Sequence, residues 1–598
     1  MIAMKNPESG IVIKTLMRLI RLLPRSFRLS GIISFLLLFV NSAFDLLGLG
    51  AMIPLIAIVL EEDAIQTNGA LHTFYKFSGV ANESRFIILI CVLVFLLIVL
   101  KNLVSLAIHY FQSRFFFALQ RYFSLNLFRA YYAKDLTFFK ATSSSKLNRY
   151  IQSIPNVFAS NVLIPLMTVL NEMVILVSVA IGLLWYDALV VGLLAVVVGP
   201  TFLIFYYATR KKAQQIAEDQ DKLTPPLLRN IMEAIYGYID VKVSNTEKFF
   251  FARHNELQQK LMGYQTATQV LKTAPTKIME TAMFLGVTSI IAYGVYAYDD
   301  RTKLVTLLSV FAVSSYRVLP SVNRIMTSIM SLNAYKYTLK MIERESANKQ
   351  VISKNESQGH ILFNESINLE NVVFSYNFGD ASPVLNHLNL SVKRGEVIGV
   401  VGNSGSGKST LMNMMLGFLY PQQGSVKIDG TELTGNNVAL WRNLIGYVQQ
   451  DVFLMDASLR QNIAFGINEA DIDDERVLKA VQRASLAEFV RNLPEGIFSQ
   501  VGERGGRLSG GQRQRVGIAR AIYGGAQVLF FDEATSALDN ETEKEVTEAI
   551  HKLSNDDLTL VIVAHRITTL KYCDRIIELE NGKVVRETAY DDLIKKAV

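Results

Sequence analysis

The residues with the clearest chemical meaning form one glycine-rich segment, made up of Gly402, Asn403, Ser404, Gly405, Ser406, Gly407, Lys408 and Ser409. The segment fits the pattern G-x-x-x-x-G-K-[ST]. An apolar run that starts at Glu396 precedes it, and a helical pattern begins after it at Thr410. Glycines allow backbone N–H groups to close around phosphate groups at the start of a helix. Lys408 can reach the β- and γ-phosphates, and the Ser409 hydroxyl can ligate Mg²⁺. The spacing therefore predicts a nucleoside triphosphate site formed by residues 402–410.

Two adjacent carboxylates supply the remaining chemistry of such a site. Asp532 and Glu533 follow the buried-strand pattern Val528-Leu529-Phe530-Phe531. Asp532, at the strand end, can hold Mg²⁺ directly or through water, and Glu533 is placed to polarise the attacking water as a general base. A lone Asp-Glu pair usually begins a solvated loop. In a chain that also has a phosphate loop, the pair favours hydrolysis of the nucleotide.

The elements that must position these residues differ along the chain. Half of the 598 residues are hydrophobic and 19% are charged, and the long apolar runs fill the first 335 residues. A soluble protein of this size normally has fewer apolar and more charged residues. We therefore predict an α-helical membrane domain followed by an α/β P-loop domain.

Six apolar segments are long enough to cross the roughly 30 Å hydrocarbon core of a bilayer as helices. They lie near Ser30–Leu60, Phe86–Gln112, Val162–Tyr186, Ala188–Ala208, Pro275–Tyr298 and Leu304–Leu332. The segments between and before them carry, in chain order, six, two, seven, none, ten and two Lys and Arg residues. Because basic loops stay in the cytoplasm, both chain ends and the two long loops are predicted to lie there.

These patterns divide the chain into four segments. We predict an amphipathic surface helix in residues 1–29, six transmembrane helices with long cytoplasmic loops in 30–340, a linker in 341–360 and the nucleotide domain in 361–598. The basic face of the first helix carries Lys14, Arg18, Arg21 and Arg25, opposite Ile13, Leu16, Met17 and Ile20, a pattern typical of a membrane-surface helix.

Charge and cysteine content restrict the remaining possibilities. The net charge of +7 is explained by the basic cytoplasmic loops, so we predict no nucleic-acid partner. The only cysteines, Cys91 and Cys573, provide neither a disulfide framework nor the spacing of metal ligands.

Between the phosphate loop and the paired carboxylates lies the segment Leu508-Ser509-Gly510-Gly511-Gln512. With this segment the chain resembles the ABC transporter family over essentially all 598 residues, most densely over Ile361–Leu593. The resemblance implies that Ser509, Gly510, Gly511 and Gln512 contact the γ-phosphate of ATP bound to the phosphate loop of a partner subunit. A serine hydroxyl, glycine N–H groups and a following helix suit an anion.

The resemblance also assigns single positions. It implies that Tyr376 stacks on adenine and that Gln450 contacts Mg²⁺ and the attacking water. It further implies that Asp539 organises the opposite site and that His565 contacts the γ-phosphate. Without the resemblance, Tyr376 would be interpreted as a core aromatic of a strand, and a lone histidine after a strand as structural. The chain departs from the family at Ser499-Gln500, where many exporters have Thr-Glu, so a carboxylate contact to the cytoplasmic loops is in doubt.

The same resemblance implies an exporter of the type IV architecture. One chain has one phosphate loop and one signature segment, so two chains must pair to complete a site. Both segments are intact, which favours a homodimer with two competent sites. ATP binding would close the nucleotide domains and hydrolysis would release them, and the loop tips would carry this motion into the membrane helices as alternating access. We expect the chain in the cytoplasmic (inner) membrane, with its N-terminus and nucleotide domain in the cytoplasm.

Lys and Arg residues inside predicted spans are candidates for substrate contacts, and there are four of them: Lys101, Lys277, Arg317 and Arg324. Together they could accept an anionic head group, because arginine suits phosphate. The stretch Tyr316–Ile325 resembles the sixth span of bacterial lipid-linked oligosaccharide flippases. The predicted cargo is therefore a polyprenyl-pyrophosphate-linked glycan. In the alternative interpretation, these cations pair with Asp45, Glu172 or Glu280, or reach to the membrane surface.

Other functions stay open on the sequence alone. The transported molecule could instead be a drug, a lipid A-type glycolipid or a peptide. A non-transport alternative is an ABC-type regulatory or clamp ATPase. Six spans with alternating loop charge argue against a clamp, and intact Glu533 and His565 argue against a protein that binds ATP without turnover.

Overall fold

The computed structural model describes residues 11–51, 69–80, 82–186, 188–297, 301–347, 361–376, 382–535, 539–554, 558–564 and 566–597. The chain divides into two compact units. The first covers most of residues 1–350, and the second covers 351–598 together with 135–139. The N-terminal part of the chain is helical, and the C-terminal part combines helices with β-sheets.

The N-terminal part consists of α-helices joined by short connections. In chain order they are α1 (Ile11–Leu22), α2 (Arg25–Gly50), α3 (Gly69–Ser78), α4 (Glu83–Tyr132), α5 (Leu136–Ala141), α6 (Ser144–Asn148), α7 (Ile154–Phe158), α8 (Ile164–Tyr186), α9 (Ala188–Tyr236), α10 (Tyr238–Val243), α11 (Glu247–Ala297) and α12 (Arg301–Ala347). Two π-helical turns, Arg149–Ser153 and Ala159–Leu163, connect α6, α7 and α8.

The predicted spans fall on the long helices α2, α4, α8, α9, α11 and α12, apart from Ala51 in a turn and Val162 and Leu163 in a π-helical turn. Residues 52–60 and 298 lie outside the described residues. Among the described residues, three stretches are long and apolar enough to cross a membrane: Arg25–Asp45, Glu83–Tyr132 and Ser144–Ile181. These stretches identify the first unit as membrane-embedded.

Four of the long helices exceed the length that a bilayer requires. Helices α4, α9, α11 and α12 contain 50, 49, 51 and 47 residues. At 1.5 Å per residue each is about 70 Å long, more than twice the hydrocarbon thickness. These four helices therefore continue well beyond the length of a membrane span.

Helix α1 lies within the region where the sequence predicts an amphipathic membrane-surface helix. Leu19 is buried in a cluster that includes Phe115 of α4. Three of the residues assigned to a single apolar face are exposed in this chain: Ile13, Met17 and Ile20. The helix therefore buries Leu19 within the unit and leaves these apolar side chains uncovered.

In its described residues, the second unit has ten strands and eight further α-helices. The strands are β1 (Ser366–Phe374), β2 (Leu385–Lys393), β3 (Val397–Val401), β4 (Gln423–Ile428), β5 (Thr431–Glu432), β6 (Ile445–Val448), β7 (Val528–Asp532), β8 (Thr559–Val563), β9 (Arg575–Glu580) and β10 (Lys583–Thr588). The helices are α13 (Lys408–Met415), α14 (Val438–Arg442), α15 (Leu459–Ile463), α16 (Asp474–Arg483), α17 (Ala487–Arg491), α18 (Gly510–Tyr523), α19 (Asn540–Ser554) and α20 (Tyr590–Ala597). The described part of the unit also has 3₁₀ turns at Glu469–Asp471, Gly496–Phe498, Glu503–Gly505 and Ile567–Leu570.

Two sheets organise this unit. The larger has the order β10-β9-β3-β8-β7-β6, with parallel pairing from β9 to β6 and an antiparallel β10 at its edge. The smaller sheet is antiparallel, in the order β2-β1-β4-β5. Along β7, Leu529 and Phe531 belong to one apolar cluster and Val528 and Phe530 to another. Since strand side chains alternate between faces, the parallel sheet is buried on both sides, as the α/β prediction requires.

The boundary between the two parts lies later than the predicted linker start at residue 341. Helix α12 continues to Ala347, so the first part of the predicted linker is helical, and residues 348–360 lie outside the described residues.

The two cysteines differ in solvent exposure. Cys91 is exposed on α4, and Cys573 is buried in the second unit. Neither forms a disulfide.

Candidate functional site

The predicted nucleotide residues follow three strands of the parallel sheet, β3, β6 and β7. Strand β3 ends directly before Gly402, β6 ends two residues before Gln450, and β7 ends at Asp532. Ligands of open α/β sheets bind outside the carboxyl ends of the strands. The fold therefore brings the phosphate loop, Gln450 and the two carboxylates to one edge of the sheet.

Two glycines of the phosphate loop hold positions that no other residue fits. Gly402 has a φ of +153°, and a Cβ atom there would lie 2.2 Å from the carbonyl oxygen of Leu579. Gly407, directly before α13, has a φ of +105°. A side chain at either position would be strained. The loop can therefore close tightly against the start of α13.

Polar groups of the loop fit a bound phosphate. Lys408 is buried, and its Nζ donates to the carbonyl oxygens of Gly402 at 2.7 Å and Asn403 at 3.1 Å. The Ser406 Oγ is buried and has no hydrogen-bond partner among the described residues. A phosphate would offer acceptors to both the ammonium and the hydroxyl. The residues present therefore suit the triphosphate that the sequence predicts.

The other predicted loop contacts are mostly accessible. Asn403, Ser404, Gly405 and Ser409 are exposed, whereas Thr410 is buried in the first turn of α13. The Tyr376 hydroxyl lies 3.2 Å from the Thr410 Oγ1, and 45% of the tyrosine surface is exposed. A core aromatic would be covered. The exposed ring beside α13 therefore supports the interpretation as an adenine platform.

The two carboxylates differ in how they are held. The Tyr447 hydroxyl of β6 donates to the Oδ2 of Asp532 at 3.0 Å. Glu533 has a φ of +49°, and its backbone N–H donates to the Val563 carbonyl at 2.9 Å. A left-handed backbone costs a non-glycine residue about 1 kcal/mol, and such positions concentrate at functional sites. The turn ends β7 sharply and keeps Glu533 at the sheet edge beside Asp532.

The signature segment begins helix α18. Ser509 caps this helix, since its Oγ accepts from the Gln512 N–H at 3.3 Å and its own N–H donates to the Gln512 Oε1 at 2.8 Å. The Ser509 hydroxyl hydrogen remains able to donate. A Cβ atom at Gly511 would lie 2.0 Å from the Thr542 Cγ2. The segment therefore presents a capped helix start and a close-packed glycine on an element separate from the phosphate loop.

The loop after β6 is anchored to the signature helix. The Gln514 Nε2 of α18 donates to the carbonyl oxygens of Gln449 at 3.0 Å and Gln450 at 2.6 Å. A Cβ atom at Gly517, one turn further along α18, would lie 3.1 Å from the Val452 side chain. These contacts fix the backbone at Gln450, the residue predicted to reach Mg²⁺.

Glu543, a buried carboxylate that the sequence did not predict as functional, joins the segment after β7 to the segment after β8. Glu543 of α19 accepts from Thr568 Oγ1 at 2.7 Å and Thr569 Oγ1 at 3.3 Å, and it pairs with Arg566. Burial opposes the ionised form, yet the hydroxyl and guanidinium donors lower the pKa of Glu543. Glu543 therefore holds the chain directly after His565 in place.

His565, the predicted γ-phosphate contact, lies outside the described residues, and so do Ser536, Ala537 and Leu538, which directly precede Asp539. Asp539 is described, and it accepts from the Thr542 backbone N–H at 3.1 Å as it begins α19. Hydrogen bonds from the Thr542 side chain and backbone lower the pKa of Asp539. Asp539 is therefore ionised at neutral pH.

Each of the four predicted substrate cations has a carboxylate partner. Lys101 and Arg317 share Asp45, at 2.7 and 3.0 Å. Arg324 pairs with Glu172 at 2.6 Å, and Lys277 pairs with Glu280, three residues along α11, at 3.1 Å. The pairing named in the alternative interpretation is therefore the arrangement found in the structure.

Two of these cations nevertheless line a cavity. Arg317 and Arg324 of α12 face a space of about 330 Å³, together with Asp45 of α2, His109 of α4 and Glu172 of α8. Lys277 does not line this cavity, and its side chain is 72% exposed. The structure thus separates Lys277 from the other three, because it pairs within its own helix.

Comparison with known proteins places this site in a family. Residues 385–536 match the family model described as ABC transporter. A protein of Burkholderia pseudomallei named ATP-dependent lipid A-core flippase is 33% identical over 79% of this chain and 78% of its own length. A protein of Ralstonia nicotianae with the same name is 32% identical over 69% of each chain. This chain belongs to the ABC transporter family.

A solved structure agrees with this assignment for the fold. The structure of a bacterial Atm1-family ABC exporter with ATP bound has a TM-score of 0.71 and 22% sequence identity, and 96% of each chain is covered. The ABC transporter described here therefore has the exporter half-transporter architecture, with the helical membrane part ahead of the nucleotide domain. It is an ATPase that couples hydrolysis to transport.

The contact between Tyr447 and Asp532 gives a first prediction for this ABC transporter. Burial and the neighbouring Asp532 carboxylate raise the pKa of Tyr447, so its hydroxyl stays protonated and keeps donating at assay pH. A hydrogen bond to a charged group contributes about 1.5 kcal/mol or more, less where water reaches it. We expect Tyr447→Phe to raise the Mg²⁺ concentration for half-maximal ATPase activity by about threefold to tenfold.

The measurement is an Mg²⁺ titration of ATPase activity at saturating ATP. Tyr420→Phe is the matched control. Tyr420 lies in the same unit, and burial raises its pKa too, so this variant should leave the titration unchanged. An unchanged Mg²⁺ dependence in Tyr447→Phe, with a lower melting temperature only, would assign the bond to stability alone.

Proposed function

We propose that this transporter flips or exports an anionic lipid-linked substrate across the cytoplasmic membrane. The leading candidate is a polyprenyl-pyrophosphate-linked oligosaccharide. The observation that carries the proposal is the cavity among apolar helices, which is lined by Arg317 and Arg324. Together with Lys101, which shares Asp45 with Arg317, these make three cations against the two carboxylates of Asp45 and Glu172. Charge inside a membrane is costly and marks function. An amphipathic molecule with a phosphate head group suits this combination.

In the proposed ATP cycle, each residue has a separate task. Lys408 and the loop backbone bind the triphosphate, Tyr376 stacks on the base, and Glu533 takes a proton from the attacking water. Mg²⁺, held by Ser409, Gln450 and Asp532, would neutralise charge on the phosphates. His565 would contact the γ-phosphate. Glu533 follows Asp532 at the sheet edge, which supports its role as base.

We propose that two copies of this chain form the working transporter. The signature segment of one copy, Ser509 to Gln512, would cover the phosphate loop of the other. The capped start of α18, with a hydroxyl hydrogen still able to donate, supports this anion contact. The intact phosphate loop, Glu533 and signature support two equivalent sites. The N-terminus and the nucleotide domain are proposed to lie in the cytoplasm, since the loops with most Lys and Arg would face that side.

A lipid A-type glycolipid is the second candidate cargo. The relatives from Burkholderia pseudomallei and Ralstonia nicotianae, which align with most of this chain, are both named ATP-dependent lipid A-core flippase. Such a glycolipid also joins acyl chains to phosphate groups, so the same cavity would suit it. The two candidates differ in the carrier, which is a polyprenyl chain in one and a set of acyl chains in the other.

The test compares the two cargo classes on the full chain in nanodiscs of phosphatidylcholine. ATPase activity would be measured against increasing undecaprenyl-pyrophosphate glycan, increasing lipid A-core glycolipid and an uncharged glycolipid as control. We expect saturable stimulation of about twofold or more by one anionic glycolipid and none by the uncharged one. Stimulation by lipid A-core alone would replace the leading cargo by the second. Equal responses to all three would contradict an anionic-lipid substrate.

A further inference from the structure

The cavity among α2, α4, α8 and α12 has an odd number of fixed charges. Lys101, Arg317 and Arg324 bring three cations to its wall or to the ion pairs behind it, against the carboxylates of Asp45 and Glu172. One positive charge is therefore left without its own anion. His109 of α4 also lines the space and would add to the excess if protonated.

The charge imbalance arises because two cations share the single carboxylate of Asp45. Lys101 contacts one oxygen of Asp45 and Arg317 contacts the other, whereas Arg324 has Glu172 to itself. The Arg317 Nε is buried and has no acceptor among the described residues. A guanidinium has five N–H donors and binds a carboxylate or phosphate best through two parallel bonds. Arg317 is thus the cation with unused donors.

We propose that the cavity binds one phosphate group by exchange of counter-ions. The phosphate takes Arg317 away from Asp45, and Asp45 stays with Lys101. A singly charged phosphate then gives three cations and three anions, each in its own pair. This deepens the proposed function, on which it rests for the natural ligand. The phosphate belongs to a lipid head group, since the cavity lies within the membrane-embedded unit.

Asp45 acts in this exchange as an internal competitor of the ligand. In the empty cavity it keeps both cations paired, which limits the cost of holding them inside the membrane unit. When phosphate arrives, the same carboxylate has to release Arg317. Removing Asp45 should therefore strengthen phosphate binding, although it removes a native ion pair. A carboxylate that only stabilised the fold would give the opposite result.

Three substitutions separate these roles. Arg317→Gln removes the phosphate partner and should weaken binding by about tenfold, the lower end for close charge pairs. Asp45→Asn removes the competitor and should tighten binding by about tenfold. Lys101→Gln leaves Asp45 to Arg317 alone and should weaken binding, although Lys101 is not among the residues that line the space.

The probe is phosphatidylglycerol, a singly charged phosphate diester, with phosphatidylcholine as the zwitterionic comparison. Native mass spectrometry of the purified full chain would count bound lipid as phosphatidylglycerol increases, beside a melting curve for each variant. Glu256→Gln is the matched control, because its exposed carboxylate also pairs with a lysine, Lys260, at 2.6 Å. It should bind phosphatidylglycerol like the wild type. If Asp45→Asn does not fold, the loss in Lys101→Gln carries the test.

Opposite shifts in Asp45→Asn and Arg317→Gln are the expected result. Equal losses in both, or unchanged binding in all variants including Lys101→Gln, would overturn the exchange. Bound phosphatidylglycerol that responds to the variants, without any glycolipid stimulation of ATPase, would support the exchange and contradict the proposed cargo. Glycolipid stimulation with the same half-saturating concentration in all variants would support the cargo and overturn the exchange.

Discussion

Glu533→Gln is expected to lower ATP turnover by at least about a hundredfold while ATP still binds, because a general base contributes about 10²–10⁴ to the rate. Glutamine has the shape of glutamate but cannot accept the proton of the attacking water. The left-handed backbone at this position strains both residues alike, so the substitution leaves the turn after β7 unchanged. The measurement is steady-state ATPase activity in nanodiscs, together with equilibrium binding of ATP to the same preparation.

Glu541→Gln is the control for this result. Glu541 lies in the first turn of α19 and is exposed, so its replacement removes the same charge a few residues away. It should retain the wild-type rate. Turnover that persists in Glu533→Gln, after contaminating ATPases have been excluded with an unrelated inactive preparation, would show that another group activates the water.

Lys408→Ala is expected to weaken ATP binding by about tenfold to a hundredfold, since charge-assisted hydrogen bonds contribute about 1.5–3 kcal/mol. The Lys408 ammonium now donates to two loop carbonyls, and its bonds to phosphate would replace these. Without it, the loop loses both its internal contacts and its charge. Turnover should fall at ATP concentrations that saturate the wild type.

ATP affinity, measured by equilibrium binding without hydrolysis, checks this expectation. Lys427→Ala is the comparison, because Lys427 pairs with Glu370 at 2.6 Å on the surface of the smaller sheet. A surface pair contributes about 0–1 kcal/mol, so ATP binding should not change in that variant. Equal ATP affinity in Lys408→Ala and the wild type would contradict this expectation and would show that the loop backbone, and not Lys408, binds the phosphates.

The nucleotide site could be predicted closely because its signals are local in the chain. The glycines at 402 and 407 are set by the backbone angles of one loop, and a buried strand that ends in Asp532 has an unmistakable apolar pattern. Helix positions in the membrane part were also predictable from apolar length. The helix ends were not, since polar extensions of α4 and α11 continue the same helices beyond the apolar runs.

Contacts between distant parts of the sequence could not be predicted in the same way. Asp45 and Arg317 are 272 residues apart, and Tyr447 and Asp532 are 85 apart. The sequence allowed Arg317 to be either an unpaired cation or one partner of an ion pair. Only the packing of α2 against its neighbours shows that it pairs with Asp45. Tyr447 gave no signal at all, because a tyrosine in a short strand normally packs in a core.

The burial of Cys573 affects how this protein can be studied by thiol chemistry. Burial, and next the Asp574 charge, raise the pKa of Cys573 to about 12, so almost no thiolate forms at neutral pH. Because the thiolate is the nucleophile, maleimides and mild oxidants should react poorly there. Cys91 lies in the apolar stretch of α4, where lipid would keep water-soluble reagents away. The two native thiols should therefore react little with such reagents, so a single cysteine introduced at an exposed site of the nucleotide domain would carry a spectroscopic label.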